Sequence, residues 1–114
     1  MPRLPENPLL AAHSDLLDRL GREGRAELVH KAVDARRLEG IRVLAALGLD
    51  LSAMTRNSPL HNAAWAGDLE LVQLLVELGA DPNAREPTYG ATPLGWAEHN
   101  HQQAVVEYLA PLTL

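Results

Sequence analysis

The sequence predicts an all-α solenoid in which short antiparallel helix pairs stack side by side. The chain matches itself when it is shifted by 31 positions and again when it is shifted by 34 positions, as stacked repeats of about 33 residues with loops of different length would. Each repeat combines one helix pattern rich in small residues with a second whose apolar residues lie at helical spacing. Glycine and proline separate these patterns, which indicates turns between the helices.

The repeat pattern divides the chain into an N-terminal segment and three units. In residues 1–24, leucines at helical spacing precede Gly21, and we expect this segment to be a capping helix that covers the apolar end of the array. Three units are the minimum for a stable array, so both ends of the chain matter for stability. The units are expected at residues 25–57, 58–91 and 92–114 of a repeat region that covers residues 25–114.

The middle unit shows how each helix pair begins and ends. Ser58 is a good N-cap, and Pro59 suits the first helical position, where a backbone N–H would have no partner in any case. Alanines follow, which let a neighbouring helix approach closely, and Gly67 ends this short helix. Asp68 caps the second helix, and Gly79 suits the left-handed position at its end.

The middle unit resembles the ankyrin repeat at positions spread over its whole length. The third unit opens in a similar way but has Gly95 where that family usually has histidine. The first unit keeps His30, Leu44 and Gly48 at matching positions but lacks the Pro-Leu opening. The motifs that carry the resemblance are Ser58-Pro59-Leu60-His61-x-Ala63-Ala64-x-x-Gly67, Leu74-Leu75, Gly79-Ala80-Asp81-x-Asn83-Ala84 and Thr92-Pro93-Leu94-Gly95-x-Ala97.

The resemblance covers about residues 25–110 and implies finger-like loops along one edge of the helix stack. It also implies a concave groove, in which Trp65 and Tyr89 are natural anchors for a partner. The alternative for Trp65 is that its ring only packs across neighbouring alanines, and Trp96 is expected to fill the stack at the last unit. The predicted partner-binding residues are Asp34, Ala35, Trp65, Ala66, Tyr89, His99 and Asn100.

Composition and charge limit the classes of partner. The chain has 114 residues and no cysteine, which excludes disulfides, thiolate metal sites and cysteine nucleophiles. Residues 1–57 carry a net charge of +1 and residues 58–114 a net charge of −6, because Arg85 is the only basic residue of the second half. This balance disfavours nucleic acid as a partner and favours a protein with a basic region.

The spacing of histidine and serine argues against an enzyme. His30 and His61 occupy equivalent places in adjacent units, so their helices stand about 8–10 Å apart, too far for both to reach one zinc ion at about 2.1 Å. We expect these histidines to hydrogen-bond nearby turns. Ser58 lies three residues before His61, but a helix cap explains it better than a nucleophile. The sequence therefore predicts a non-enzymatic protein-interaction module with no cofactor and no metal.

Two other functions stay open. The charge asymmetry and the apolar residues 112–114 could drive self-association, so the protein could be a homo-oligomer and a structural element. The less favoured alternative is a small metal-dependent enzyme that uses Glu98, His99 and His101.

No apolar run is long enough for a signal peptide or a membrane span. We therefore expect a cytoplasmic protein with no membrane contact. A single lysine, Lys31, stands beside nine arginines, and this usage suggests a bacterial chain.

Overall fold

The computed structural model describes the backbone of residues 8–114 and the side chains of residues 21–114. Within these ranges the chain contains helices and turns but no strand, so the predicted all-α fold is confirmed. None of the described helices combines the length and the apolar character that a bilayer span requires. The helices are α1 (Pro8–Asp34), α2 (Leu38–Ala46), α3 (Pro59–Ala66), α4 (Leu69–Glu77), α5 (Pro93–His99) and α6 (Gln103–Leu109), followed by a 3-10 turn (Ala110–Leu112).

The helices form pairs that stack in chain order. Each of α1, α3 and α5 packs against the helix that follows it, and adjacent pairs meet through α1 with α3, α3 with α5, and α4 with α6. This is the predicted solenoid. Two loops project between the pairs: a shorter first finger (residues 49–57) and a longer second finger (residues 80–91).

The first helix contains one break. Gly21 has φ +70° and ψ −176°, outside the helical region, so α1 consists of two helical stretches joined at this glycine. The break lies close to the predicted boundary between residues 24 and 25. The side chains of residues 1–20 are outside the described residues, so the capping role of the N-terminal segment stays a prediction.

Local sequence sets the helix ends of the middle unit as predicted. Ser58 Oγ accepts the backbone N–H of His61 at 3.3 Å, and Asp68 Oδ1 accepts that of Leu71 at 3.2 Å. These side chains satisfy N–H groups that have no partner inside the helix. Gly67 has φ +74°, a left-handed conformation that glycine adopts without the strain a Cβ would cause.

The core is an aliphatic layer between the two helices of each pair. Ile41, Leu60, Leu75 and Leu109, from α2, α3, α4 and α6, are all fully buried. Buried alanines lie on α3 and α5, which pack against each other. Those alanines are Ala63, Ala64 and Ala97.

Ion pairs and hydrogen bonds add to the contacts between units. Arg36 Nε donates to Asp68 Oδ2 at 2.6 Å and Arg36 Nη2 donates to Glu70 Oε1 at 2.9 Å. The guanidinium of Arg36 lowers the pKa of Asp68 below its usual range. At the other end, Asn83 Nδ2 donates to the carbonyl of Leu112 at 3.2 Å, which holds the backbone of the C-terminal tail against the second finger.

Candidate functional site

An open groove lies between α3, α5 and the second finger. Its volume is about 640 Å³. Three aromatic rings and one imidazole form much of its wall, which is unusual in a chain with only two Trp, two Tyr and no Phe. We call it the aromatic groove, and its lining residues are Asn62, Trp65, Tyr89, Ala91, Gly95, Trp96 and His99.

Helical spacing explains why these side chains meet. Asn62 and Trp65 are three residues apart on α3, and Trp96 and His99 are three residues apart on α5. Residues at this spacing lie on the same face of a helix. Since α3 and α5 pack side by side, the two faces form adjoining parts of one wall.

The rings contact one another in defined geometries. The centroid of Trp65 lies 6.0 Å from that of Trp96 with the planes at 77°, and 5.9 Å from that of His99 with the planes at 23°. These are the edge-to-face and stacked arrangements that aromatic pairs prefer. Trp65 nevertheless remains 44% exposed, so packing accounts for only part of its ring surface.

Trp96 packs within the helix stack toward the middle unit, where its ring centroid lies 5.1 Å from that of His61. The reason is that α5 packs on α3, so a large side chain on the inner face of α5 fills the space beside His61.

The backbone of Trp65 is held by the next unit. Its carbonyl accepts Asn100 Nδ2 at 2.7 Å and Gln102 Nε2 at 2.9 Å. Carbonyls at the end of a helix have no partner within it, so these two amides complete the hydrogen bonding of α3 and fix its end against the third unit. Sequence reasoning missed Gln102, because the position gives no local signal of this contact.

His61 lies beneath the aromatic groove and is fully buried. Its Nε2 donates to the carbonyl of Ala91 at 2.7 Å, because a carbonyl can only accept. Its Nδ1 therefore accepts, and the hydroxyl of Ser58 lies 2.7 Å away as the donor. Burial lowers the pKa of His61. His30 makes the equivalent contact, with Nε2 2.9 Å from the carbonyl of Ala53, so the predicted bonds to turns are confirmed.

Glu86 organises the second finger and was missed by sequence reasoning. Its carboxylate is buried, with 1% of the residue exposed. It accepts the backbone N–H groups of Thr88, Tyr89 and Ala91 at 2.7 to 3.1 Å, and the indole of Trp96 is a further partner. Burial by itself would raise the pKa of Glu86, but these donors hold it below its usual range.

The structure brings together three of the predicted partner-binding residues. Trp65, Tyr89 and His99 line the aromatic groove, and Tyr89 is 83% exposed on the second finger. The other four do not line it. Asn100 supports the backbone of Trp65, while Asp34, Ala35 and Ala66 are exposed elsewhere on the surface. Their role in binding stays a prediction.

The residues of the proposed metal site are not arranged around one point. The helix α5 ends at His99, and His101 follows in a turn with φ +58°. His99 stacks on Trp65 instead. Across the described side chains, no three His, Asp or Glu residues come together as ligands for a metal ion.

Gly95 lines the aromatic groove although its backbone does not require glycine. A Cβ there would lie 3.6 Å from Ala91 Cβ and 3.8 Å from Thr92 Oγ1, which are ordinary contacts. Glycine in a helix costs roughly 0.5–1 kcal/mol relative to alanine. We expect Gly95→Ala to raise the free energy of unfolding by about 0.5 kcal/mol in urea denaturation.

Gly67→Ala is the matched control for that measurement. Its φ of +74° is strained for alanine, and its Cβ would overlap the side-chain amide of Gln102. The free energy of unfolding should therefore fall by about 1 kcal/mol or more. A loss of stability in Gly95→Ala as well would show that the fold needs the space at Gly95.

Part of the chain is similar to a known family of proteins. Residues 44–94 match the family model described as ankyrin repeats in many copies. A protein named as an ankyrin repeat protein in Pyrobaculum aerophilum is 46% identical over 68 residues, which cover 59% of this chain and 25% of that protein.

Two further relatives extend the comparison. Protein PhlB of Serratia liquefaciens is 37% identical over 84 residues, or 70% of this chain and 37% of that protein. Ankyrin repeat and SAM domain-containing protein 6 of Rattus norvegicus is 44% identical over 52 residues, or 46% of this chain and 6% of that protein. The chain thus spans well under half the length of each relative.

Proposed function

Since residues 44–94 of this chain form an ankyrin repeat segment, we propose that the protein is a non-enzymatic module that binds a basic protein partner through the aromatic groove and the finger loops. Ankyrin repeats are generally protein–protein interaction modules. The proposal includes a cytoplasmic location in a bacterial cell, as the sequence suggests.

The observation that carries the proposal is the exposure of Trp65 within a cluster of fixed rings. Trp65 contacts Trp96 and His99 and is still 44% exposed. Large aromatic side chains in a groove are typical anchors of protein interfaces. Because the neighbouring rings and two hydrogen bonds to its carbonyl already hold Trp65, a partner would spend little free energy on ordering it.

The ionisable groups beside the groove support a binding role over a catalytic one. The carboxylate of Glu86 accepts hydrogen bonds from backbone N–H groups, and the imidazole of His61 is hydrogen-bonded to Ser58 and Ala91. Among the described side chains, no buried polar atom is left without a hydrogen-bond partner. In a catalytic centre, ionisable side chains usually point toward the substrate instead.

Photo-crosslinking in the source cell tests the proposal. The photo-reactive amino acid p-benzoylphenylalanine would replace Tyr89 on the second finger, and in a control chain it would replace Val43, which is 44% exposed on α2. We expect a protein partner to be crosslinked at position 89 and not at position 43. A crosslink to a second copy of the chain would support self-association instead.

The variant Trp65→Ala then tests the anchor with the purified partner. The buried core residues of α3 are Leu60, Ala63 and Ala64, whereas Trp65 is 44% exposed. We therefore expect far-UV circular dichroism to stay nearly unchanged while binding falls by at least tenfold, the scale of an interface anchor. Binding at wild-type strength would contradict the assignment of the groove. Loss of the helical signal would show that Trp65 is a packing residue.

A further inference from the structure

The aromatic groove has the chemistry to hold a cation. Its tryptophan and tyrosine rings present π-faces, which attract a cation placed within about 6 Å of a ring centroid. Trp65 and Trp96 are neighbouring rings with centroids 6.0 Å apart, and the exposed parts of Trp65 and Tyr89 border the same space. We propose that the groove holds the guanidinium of an arginine side chain in a basic segment of the partner. This inference rests on the proposed function and names the group that is recognised.

The net charge of the half of the chain that contains the groove favours a cationic occupant over an acidic one. Residues 58–114, which contain every lining residue, carry a net charge of −6. Arg85, which is the only lysine or arginine of this half, donates its Nη1 to the carbonyl of Gly90 at 2.9 Å. Such a field attracts a basic segment and repels an acidic one.

Arginine fits this setting better than lysine. A guanidinium is planar and stacks on aromatic faces, and it is more weakly hydrated than an ammonium group, so less free energy is lost when it leaves water. The groove volume of about 640 Å³ leaves room for a long side chain.

Gly95 contributes to that room. It has no side chain at a position where the backbone would accept one, and a larger residue there would begin beside Ala91, another lining residue. Alanine would be a better helix former than glycine at this position, but the glycine leaves the groove open. The space at Gly95 is thus consistent with an occupant that enters from outside.

Intrinsic fluorescence gives a direct readout, because the only two tryptophans of the chain, Trp65 and Trp96, both line the groove. The purified protein would be titrated with N-acetyl-arginine amide and, as the uncharged analogue of the same shape, N-acetyl-citrulline amide. We expect saturable binding of the arginine probe with a Kd of about 1 mM, the range open to so small a ligand. The citrulline probe should bind at least tenfold more weakly.

Three variants test the location of that binding. Trp65→Leu should weaken the binding of the arginine probe at least fivefold, because leucine is apolar but has no π-face. The fluorescence of Trp96 still reports the binding in this variant. Gly95→Leu should weaken it similarly by filling the groove. Val43→Ala, on α2 and outside the groove, should leave the Kd unchanged. Circular dichroism of each variant confirms the fold.

The two proposals fail in different ways. Equal binding of the arginine and citrulline probes, no binding of arginine up to tens of millimolar, or preferential binding of N-acetyl-glutamate amide would each overturn the arginine site. A partner crosslinked at position 89 would still support the interaction module in those cases. If the groove binds arginine selectively but no protein is crosslinked at position 89, the interaction module is contradicted and the arginine site is retained.

Discussion

Replacing His61 with alanine is expected to lower the free energy of unfolding by about 3–5 kcal/mol. The variant removes a fully buried ring and leaves the hydroxyl of Ser58 and the carbonyl of Ala91 without their partner. A buried polar group that loses its hydrogen bond costs about 1–3 kcal/mol, and the cavity adds to this. Since small domains are stable by only about 5–15 kcal/mol, urea denaturation should show a large shift.

His30→Ala is the matched comparison, because His30 occupies the equivalent position in the first unit. Its ring makes one hydrogen bond, to the carbonyl of Ala53 at 2.9 Å, and the residue is 8% exposed rather than fully buried. The loss of unfolding free energy should be about half as large, near 1.5–2.5 kcal/mol. Equal losses for the two variants would show that the additional bond of His61 to Ser58 and its deeper burial add nothing to stability.

The pH dependence of stability follows from the state of His61. Its pKa is lowered in the fold by burial, so the unfolded chain binds a proton at a higher pH than the folded chain does. The contribution of neutral His61 to stability is therefore complete above the ordinary histidine pKa of about 6.5 and is lost as the pH falls through the lowered pKa. Urea denaturation at pH 7.5 and pH 5 should show this loss in the wild type and a smaller one in His61→Ala.

Replacing Glu86 with glutamine is expected to lower the melting temperature by on the order of 10 °C. The carboxylate accepts N–H groups from Thr88, Tyr89 and Ala91, whereas a glutamine offers one acceptor oxygen and turns an NH₂ donor toward the remaining N–H groups. The second finger should loosen, which hydrogen exchange of these three amides would detect. Because Tyr89 and Ala91 line the aromatic groove, ligand binding should weaken as well.

Lowering the pH should remove the contribution of Glu86 to the stability of the fold. Its pKa is lowered in the fold, so its stabilisation is present above the ordinary glutamate pKa of about 4.3 and is lost as the pH falls through the lowered value. The difference in melting temperature between wild type and Glu86→Gln should therefore shrink from pH 7 toward pH 3. Glu98→Gln, an exposed carboxylate on α5, should melt like the wild type at neutral pH; a loss as large as that of Glu86→Gln would contradict the buried-carboxylate explanation.

The helix ends could be read from the sequence because their causes lie within a few residues. Ser58, Asp68 and Gly67 act on neighbouring backbone groups, so their positions predict where α3 and α4 begin and end. The histidine contacts were predictable from the resemblance of the units. These signals need no knowledge of how the units pack.

The aromatic groove depends on residues that are remote along the chain. Trp65 and Trp96 belong to different units and meet only when α3 packs on α5. The backbone of the second finger curls around Glu86, and Pro87 and Gly90 mark a turn there in the sequence. The further contact of its carboxylate with the indole of Trp96 in the third unit has no local signal. Short-range hydrogen bonds and periodicity thus define the repeats, whereas side-chain contacts between repeats create the surface that we propose binds the partner.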